Sequence, residues 1–206
     1  MSIFLIIAGI LLIVGIVVVR ILNLDMREVV ELARDFRGYI ITVVLFVLIF
    51  VVLVNFQPIA GNSMFPTLEE GDVIVCSKLF FNKNNIKRNQ IVVLKAENNK
   101  SFVKRVIGLP GERIDYMDGK LYIDKKPHNE MFLGSDVVTN NFMFEDICSE
   151  KDCPEGIIPK DMYLVLGDNR PQSEDSRKKE FGLIPKEDIK CDVLMRIWPL
   201  NKIGSV

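Results

Sequence analysis

The stretch Gly61-Asn62-Ser63-Met64-Phe65-Pro66-Thr67-Leu68 divides the chain. Long apolar runs precede it and the first polar-patterned strand follows it, so the chain before it reads as membrane and the chain after it as scaffold. A serine between Asn62 and Met64, with Pro66 ending any local helix or strand, is held on a turn with its hydroxyl free to face a cleft. Two readings of Ser63 stand side by side at this point: a nucleophile, or a residue that ends a turn.

A length of 206 residues suggests one modest globular domain plus whatever is spent in membrane. The net charge of −1, with no basic stripe interleaved with aromatics, argues against nucleic acid as a partner. The mean hydropathy of +0.24 is high for a chain with 26% charged residues. The two are reconciled by segregation, because the apolar excess is N-terminal.

Residues 2–19 carry no charge, and neither do residues 38–54. Each run approaches the roughly 20 apolar residues that span a bilayer. The first lacks the basic n-region and small-residue cleavage site of a signal peptide. Neither shows the polar face of a buried hairpin. Two transmembrane helices are expected, at about 2–20 and 38–55, forming a membrane anchor over residues 1–56.

Arg20, Arg27, Arg34 and Arg37 lie between the two runs, and no other Lys or Arg occurs before Lys78. Clustered basic residues mark the cytoplasmic loop, here residues 20–37, so residues 57–206 are expected outside the cytoplasm. Within the loop, Asp25 and Glu28 fit a capping box, and Met26, Val29, Val30, Ala33 and Phe36 recur at helical spacing. A short amphipathic helix on the inner membrane surface is expected. Ser63 follows Val54 by nine residues, at most roughly 30 Å of extended chain, which ties it near the outer face of the bilayer.

Beyond the octapeptide, residues 71–75, 90–94 and 101–107 read as strands separated by polar turns. Leu79-Phe80-Phe81, flanked by Lys78 and Lys83, fits either core packing or the membrane interface. The third strand places Lys104 on one face with Phe102 and Val106, and Arg105 on the other with Val103 and Ile107. Periodicity does not say which is buried. A buried lysine would lose proton affinity by desolvation and so become able to accept a proton, as an arginine cannot.

Two short strands at 113–116 and 120–124 join through Asp118-Gly119, a hairpin signal, and open an irregular lobe over about residues 113–160. The lobe holds Cys148 and Cys153, a spacing that outside the cytoplasm reads most simply as a disulfide. Cys76, Cys191 and His128, the only histidine, stand isolated, so neither a metal nor another cofactor is expected. A further strand at 163–166 ends in Gly167-Asp168-Asn169-Arg170-Pro171-Gln172-Ser173-Glu174-Asp175-Ser176-Arg177, dense in short polar side chains and alternating charge. Such a segment suits either a cross-braced turn beside a site or a solvated charged turn. It fails as a calcium loop, since the sixth and twelfth positions are Ser173 and Lys179. Strand-like material at 181–185 and 189–198 completes the sheet.

Four of these segments in this order, behind membrane anchors, resemble the bacterial type I signal peptidases. They are residues 63–68, residues 71–75, Val103-Lys104-Arg105-Val106-Ile107-Gly108-Leu109-Pro110-Gly111-Glu112, and residues 167–177. The resemblance implies a mainly β fold, a signal-peptidase-type antiparallel β-sheet catalytic domain, and a serine endopeptidase that removes signal peptides from exported preproteins at the outer face of the cytoplasmic membrane. It implies Ser63 as nucleophile, Lys104 as general base, and Ser173 as the hydroxyl that orients the lysine. Asp175 and Arg177 would brace the site, with Asp168 and Arg170 as a second pair.

The Ser63 backbone amide would be the first oxyanion donor. Some family members place a serine two positions before the nucleophile as the second donor, where this chain has Gly61. Gln57, Pro58, Ile59, Ala60 and Asn62, with Phe102 and Val103, would flank the substrate as an extended strand. The partners implied are signal peptides and the lipid bilayer, with no nucleic acid and no metal. Competing classes are a self-cleaving membrane regulator with a similar fold, which would cut only in cis, and a catalytically silent binding module, for which the dyad would be surplus.

Overall fold

In a computed structural model of this chain, residues 9, 13–18, 20, 26–77, 81–95, 101–134 and 137–206 are described. The chain divides into two compact units, Met1–Val52 and Leu53–Val206. The first contains helix α1 (Met26–Asp35) and nearly all of helix α2 (Arg37–Leu53). On α1, Arg27, Val30 and Arg34 are exposed, while the expected cap at Asp25 lies outside the described residues.

Among the described residues no helix is long and apolar enough to cross a membrane. Most of the first expected span lies outside them; its described residues 9, 13–18 and 20 are helical. The second span is seen as α2, whose 17 residues rise only about 25 Å, against a hydrocarbon thickness of about 30 Å. It ends before residue 55 because Val54 already pairs with Ser77 as the first residue of a strand. The case for an anchor over 1–56 therefore rests on the uncharged runs of the sequence.

The second unit is built from antiparallel strands: β1 (Val54–Pro58), β2 (Val73–Ser77), β3 (Ile91–Lys95), β4 (Ser101–Gly108), β5 (Ile114–Met117), β6 (Lys120–Ile123), β7 (Lys126–His128), β8 (Met162–Leu166), β9 (Ile184–Pro185) and β10 (Ile189–Trp198). Seven form one sheet in the order β1-β2-β10-β3-β4-β8-β9, and β5-β6-β7 form a second inside the lobe. The mainly β, antiparallel expectation is therefore what the chain adopts.

Burial follows the alternation of the strands. On β4, Val106 enters a core cluster with Val92, Leu94, Val165 and Ile189. The next residue, Ile107, turns to a different cluster with Ile114, Leu121, Phe144, Leu164 and Leu166, which joins the lobe to the main sheet. Asp118-Gly119 closes the β5–β6 hairpin with φ of 51° and 71°, the left-handed pair that a tight type I′ turn needs.

Three local expectations need correction. Strand β1 was hidden in the tail of an apolar run, although Asn55-Phe56-Gln57 alternates in polarity; its pairing with β2, as in Phe56 with Val75, makes it a strand. The strand expected over 181–185 shrinks to Ile184–Pro185, because Phe181 and Gly182 both donate to the Lys178 carbonyl and hold the preceding residues as a turn. Cys76 and Cys191 are not isolated but disulfide-bonded to each other, in addition to the expected Cys148–Cys153 bond. A separation of 115 residues conceals that pairing, which becomes possible only once β10 lies beside β2 with Val193 opposite Cys76. Leu79 and Phe80 lie outside the described residues, and Phe81 packs on the cluster of Val92 and Val106.

Candidate active site

Ser63 opens a turn whose geometry is set by its neighbours. Met64 and Leu68 are 1% and 0% exposed and bury one side of the turn among Ile59, Ile74, Val93 and the Cys76–Cys191 bond. Leu68 N–H donates to the Met64 carbonyl at 2.9 Å, and Phe65 N–H to the Asn62 carbonyl at 3.1 Å. Apolar anchors at i and i+4 thus pin the turn, and Ser63, immediately before the first of them, remains half-buried at its edge. Gly61 has φ +83°, and a Cβ there would meet nothing within 4 Å. Glycine is required by its backbone conformation and not by crowding.

Lys104 and Arg105 sit side by side in the middle of β4, and both are buried, at 2% and 5% exposure. Their surroundings differ. The Arg105 guanidinium makes a bidentate pair with Asp168, Nε to Oδ1 at 2.9 Å and Nη2 to Oδ2 at 2.6 Å. It also donates to the Asn89 carbonyl and lies 4.2 Å from the Phe132 ring centroid. The Lys104 side chain makes no hydrogen bond or ion pair among the described residues. Burial lowers its pKa from 10.5 to about 8; Asp175 opposes the fall and Arg177 adds to it. The question that alternation left open resolves as two buried cations, one neutralised by a carboxylate and one whose proton affinity is lowered by desolvation.

The segment after β8 braces both elements. The Ser63 carbonyl accepts from Asn169 N–H at 3.0 Å, and the Asn62 carbonyl from the Asn169 side chain at 3.0 Å. Thr67 Oγ1 donates to Asp168 Oδ2 at 2.6 Å, so one carboxylate joins the serine turn to the residue next to Lys104. A Cβ on Gly167 would collide with the Ser63 carbonyl oxygen and the Ser173 hydroxyl, so only glycine fits where these groups converge. Arg105 pairs with Leu166 across β4 and β8, the last pair of that register before the chain leaves the strand at Gly167.

Asp175 and Arg177 pair at 2.8 Å, and Asp175 also accepts from Gly167 N–H at 3.0 Å. Burial pushes the Asp175 carboxyl up, but Arg177, the Gly167 amide and nearby Ser173 outweigh it and hold it below its ordinary value. Ser173 Oγ is buried without a hydrogen bond of good geometry. Asp168 and Arg170 do not pair with each other. Arg170 reaches the lobe instead, donating to Glu130 Oε1 at 2.5 Å and to Thr139 at 3.1 Å. Tyr116 OH donates to the same glutamate at 2.8 Å.

A cleft of about 510 Å³ opens beside Ser63 and Met64, walled on one side by Gln57, Pro58, Ile59 and Ala60 and on the other by Ser101, Phe102 and Val103. Of the residues expected to flank a substrate, Asn62 alone faces a separate recess. A larger cavity of about 550 Å³ lies in the lobe at Pro110, Cys153, Ile158 and Pro159 and contains none of the candidate catalytic residues.

The sequence reading did not single out Thr67, Asn169 or Glu130. Thr67 and Asn169 lie inside the quoted segments, where position alone does not reveal a partner about 100 residues away. Nothing local marks Glu130, which gains its role only when the lobe folds back on Arg170.

Residues 32–198 match the family described as signal peptidase, peptidase S26. The chain is similar to signal peptidase IB of Staphylococcus aureus strain N315, with 34% identity over 180 residues, covering 82% of this chain and 93% of that protein. It is also similar to signal peptidase I of Bacillus caldolyticus, 36% identical over 153 residues, or 71% of this chain and 80% of that one. Among solved structures, it is similar to a signal peptidase I from Enterococcus faecalis V583, with a TM-score of 0.44 and 31% identity over 52% of this chain and 96% of that chain.

Proposed function

The chain belongs to the signal peptidase family, peptidase S26, and from that premise we propose that it removes N-terminal signal peptides from exported preproteins, with Ser63 as nucleophile and Lys104 as general base. The observation that carries the mechanism is the buried Lys104, its pKa lowered to about 8, beside the same turn that holds the Ser63 carbonyl. A serine needs a base to lose its proton during attack, and a lysine serves once burial has lowered its proton affinity enough for a usable fraction of the amine to be neutral. The unpartnered Ser173 hydroxyl supports a role in orienting that amine.

In the first half-reaction the Ser63 oxygen bonds to the scissile carbonyl carbon while Lys104 takes the serine proton. Collapse breaks the C–N bond, and the proton passes from Lys104 to the departing amine, leaving an acyl-enzyme. Water then gives a proton to Lys104 and attacks the ester; the lysine returns that proton to Ser63 as the signal peptide leaves with a new carboxylate. The Ser63 amide, with Gly61 in its left-handed conformation alongside, is the natural donor to the developing oxyanion. The cleft between residues 57–60 and 101–103 fits an extended chain, with room for small side chains before the cut.

The test is cleavage in trans of a preprotein bearing an Ala-x-Ala site, using the detergent-solubilised full chain and N-terminal sequencing of the product. A single new N-terminus after the second alanine is the expected result; release of only the enzyme's own fragments would replace this reading with a self-cleaving regulator.

Membrane anchoring by residues 1–56 is part of the proposal, supported by the two uncharged runs and the arginines between them. On intact cells, an impermeant thiol reagent is expected to label Leu200→Cys and to spare Val30→Cys. Protection of position 200 would place the catalytic unit on the wrong side.

A further inference from the structure

Beside the serine turn, separate from the cleft, lies a recess of about 540 Å³ lined by Asn62, Phe65, Glu69, Glu70, Asn169 and Gln172. Its wall is continuous with the site, because Asn62 and Phe65 flank Ser63-Met64 and Asn169 N–H holds the Ser63 carbonyl. We infer that this recess receives the first residues of the mature chain, those immediately after the scissile bond, and that Glu70 selects among them by charge. The inference rests on the peptidase reading above: if the cleft of residues 57–60 and 101–103 holds the chain before the cut, the chain after it continues past Ser63, and the adjoining recess is lined by Asn62 and Phe65, the residues that flank Ser63-Met64.

The lining sets the chemistry. Phe65 is 49% exposed and offers an apolar wall next to the cut. Asn169 is fixed by the Asn62 carbonyl, and Gln172 N–H donates to the Asn169 carbonyl, so the amide-bearing side of the recess is pre-ordered. The two carboxylates are not equivalent. Glu69 is paired with Lys202 at 2.8 Å, whereas Glu70 is exposed and has no ion-pair partner among the described residues. The recess therefore presents one uncompensated negative charge to an emerging mature terminus. Acidic residues early in the mature chain are disfavoured there and basic ones accepted.

The test uses three preproteins identical through the cut, with Lys, Ala or Asp as the second mature residue, and kcat/KM measured at low salt for wild type, Glu70→Gln and Glu70→Lys. Exposed charge pairs are weak, so wild type is expected to prefer Lys over Asp by about two- to tenfold. Glu70→Gln should shrink the ratio and Glu70→Lys should invert it, and about 1 M salt should flatten all three. Cleavage of all three substrates with a ratio that Glu70→Lys leaves unchanged overturns the recess alone. Cleavage of none by wild type overturns the peptidase reading and the recess with it.

Discussion

Ser63→Ala and Lys104→Ala are each expected to lower cleavage of an Ala-x-Ala preprotein by about 10⁴- to 10⁶-fold, the range seen when members of a catalytic unit are removed from serine proteases. The effects should not add, because a nucleophile without its base and a base without its nucleophile are equally stalled. In wild type the rate should rise with pH through about 8, the value to which burial lowers Lys104, since only the neutral amine accepts the serine proton. Cleavage that survives Lys104→Ala would identify a different base.

A stability measurement separates this loss from unfolding. Lys104 binds its proton less tightly when folded, at about 8, than in the unfolded chain, where it has its ordinary value of 10.5. Between those values the unfolded chain holds more protons, so stability rises with pH across that window. Below pH 8 the buried charge costs the fold on the order of 3 kcal/mol. Lys104→Met, which keeps the volume and removes the charge, is therefore expected to be inactive yet more stable near pH 7, with the gain fading between about pH 8 and 10.5. An inactive variant that unfolds more easily at pH 7 would mean that Lys104 stabilises the fold, contrary to the electrostatics of its site.

The legible part of this site is what local sequence expresses. Asp118-Gly119 gives its hairpin because two left-handed residues fit only that turn, and Cys148 and Cys153 lie close enough in sequence to declare their bond. The alternation on β4 correctly separates Lys104 from Arg105. It is silent on the partner that distinguishes them, because Asp168 comes from a strand end 63 residues away. The Cys76–Cys191 bond was hidden by the same distance. Distance likewise conceals the partners of Arg170 and Asp168: Arg170 pairs with Glu130 in the lobe and Asp168 with Arg105 in the sheet.

Asp168→Ala is expected to be the most damaging substitution outside the dyad, lowering stability by about 3–5 kcal/mol because it strands the guanidinium of Arg105 in a site that is 5% exposed. It also removes the acceptor for Thr67 Oγ1. The carboxylate thus does two jobs: it neutralises a buried charge and it ties the Ser63 turn to the strand that carries Lys104. Urea unfolding of the double variant Arg105→Met/Asp168→Leu separates them. Replacing a buried ion pair by apolar groups of similar size is often close to neutral, so the double variant should recover much of the lost stability relative to Asp168→Ala. Its kcat should stay depressed, because Thr67 still has no partner on the far side and the serine turn is no longer tethered to β4. If the double variant regained both stability and kcat, Asp168 would be a charge-balancing residue only, and the register between Ser63 and Lys104 would have to be held by the Asn169 bonds to the Asn62 and Ser63 carbonyls.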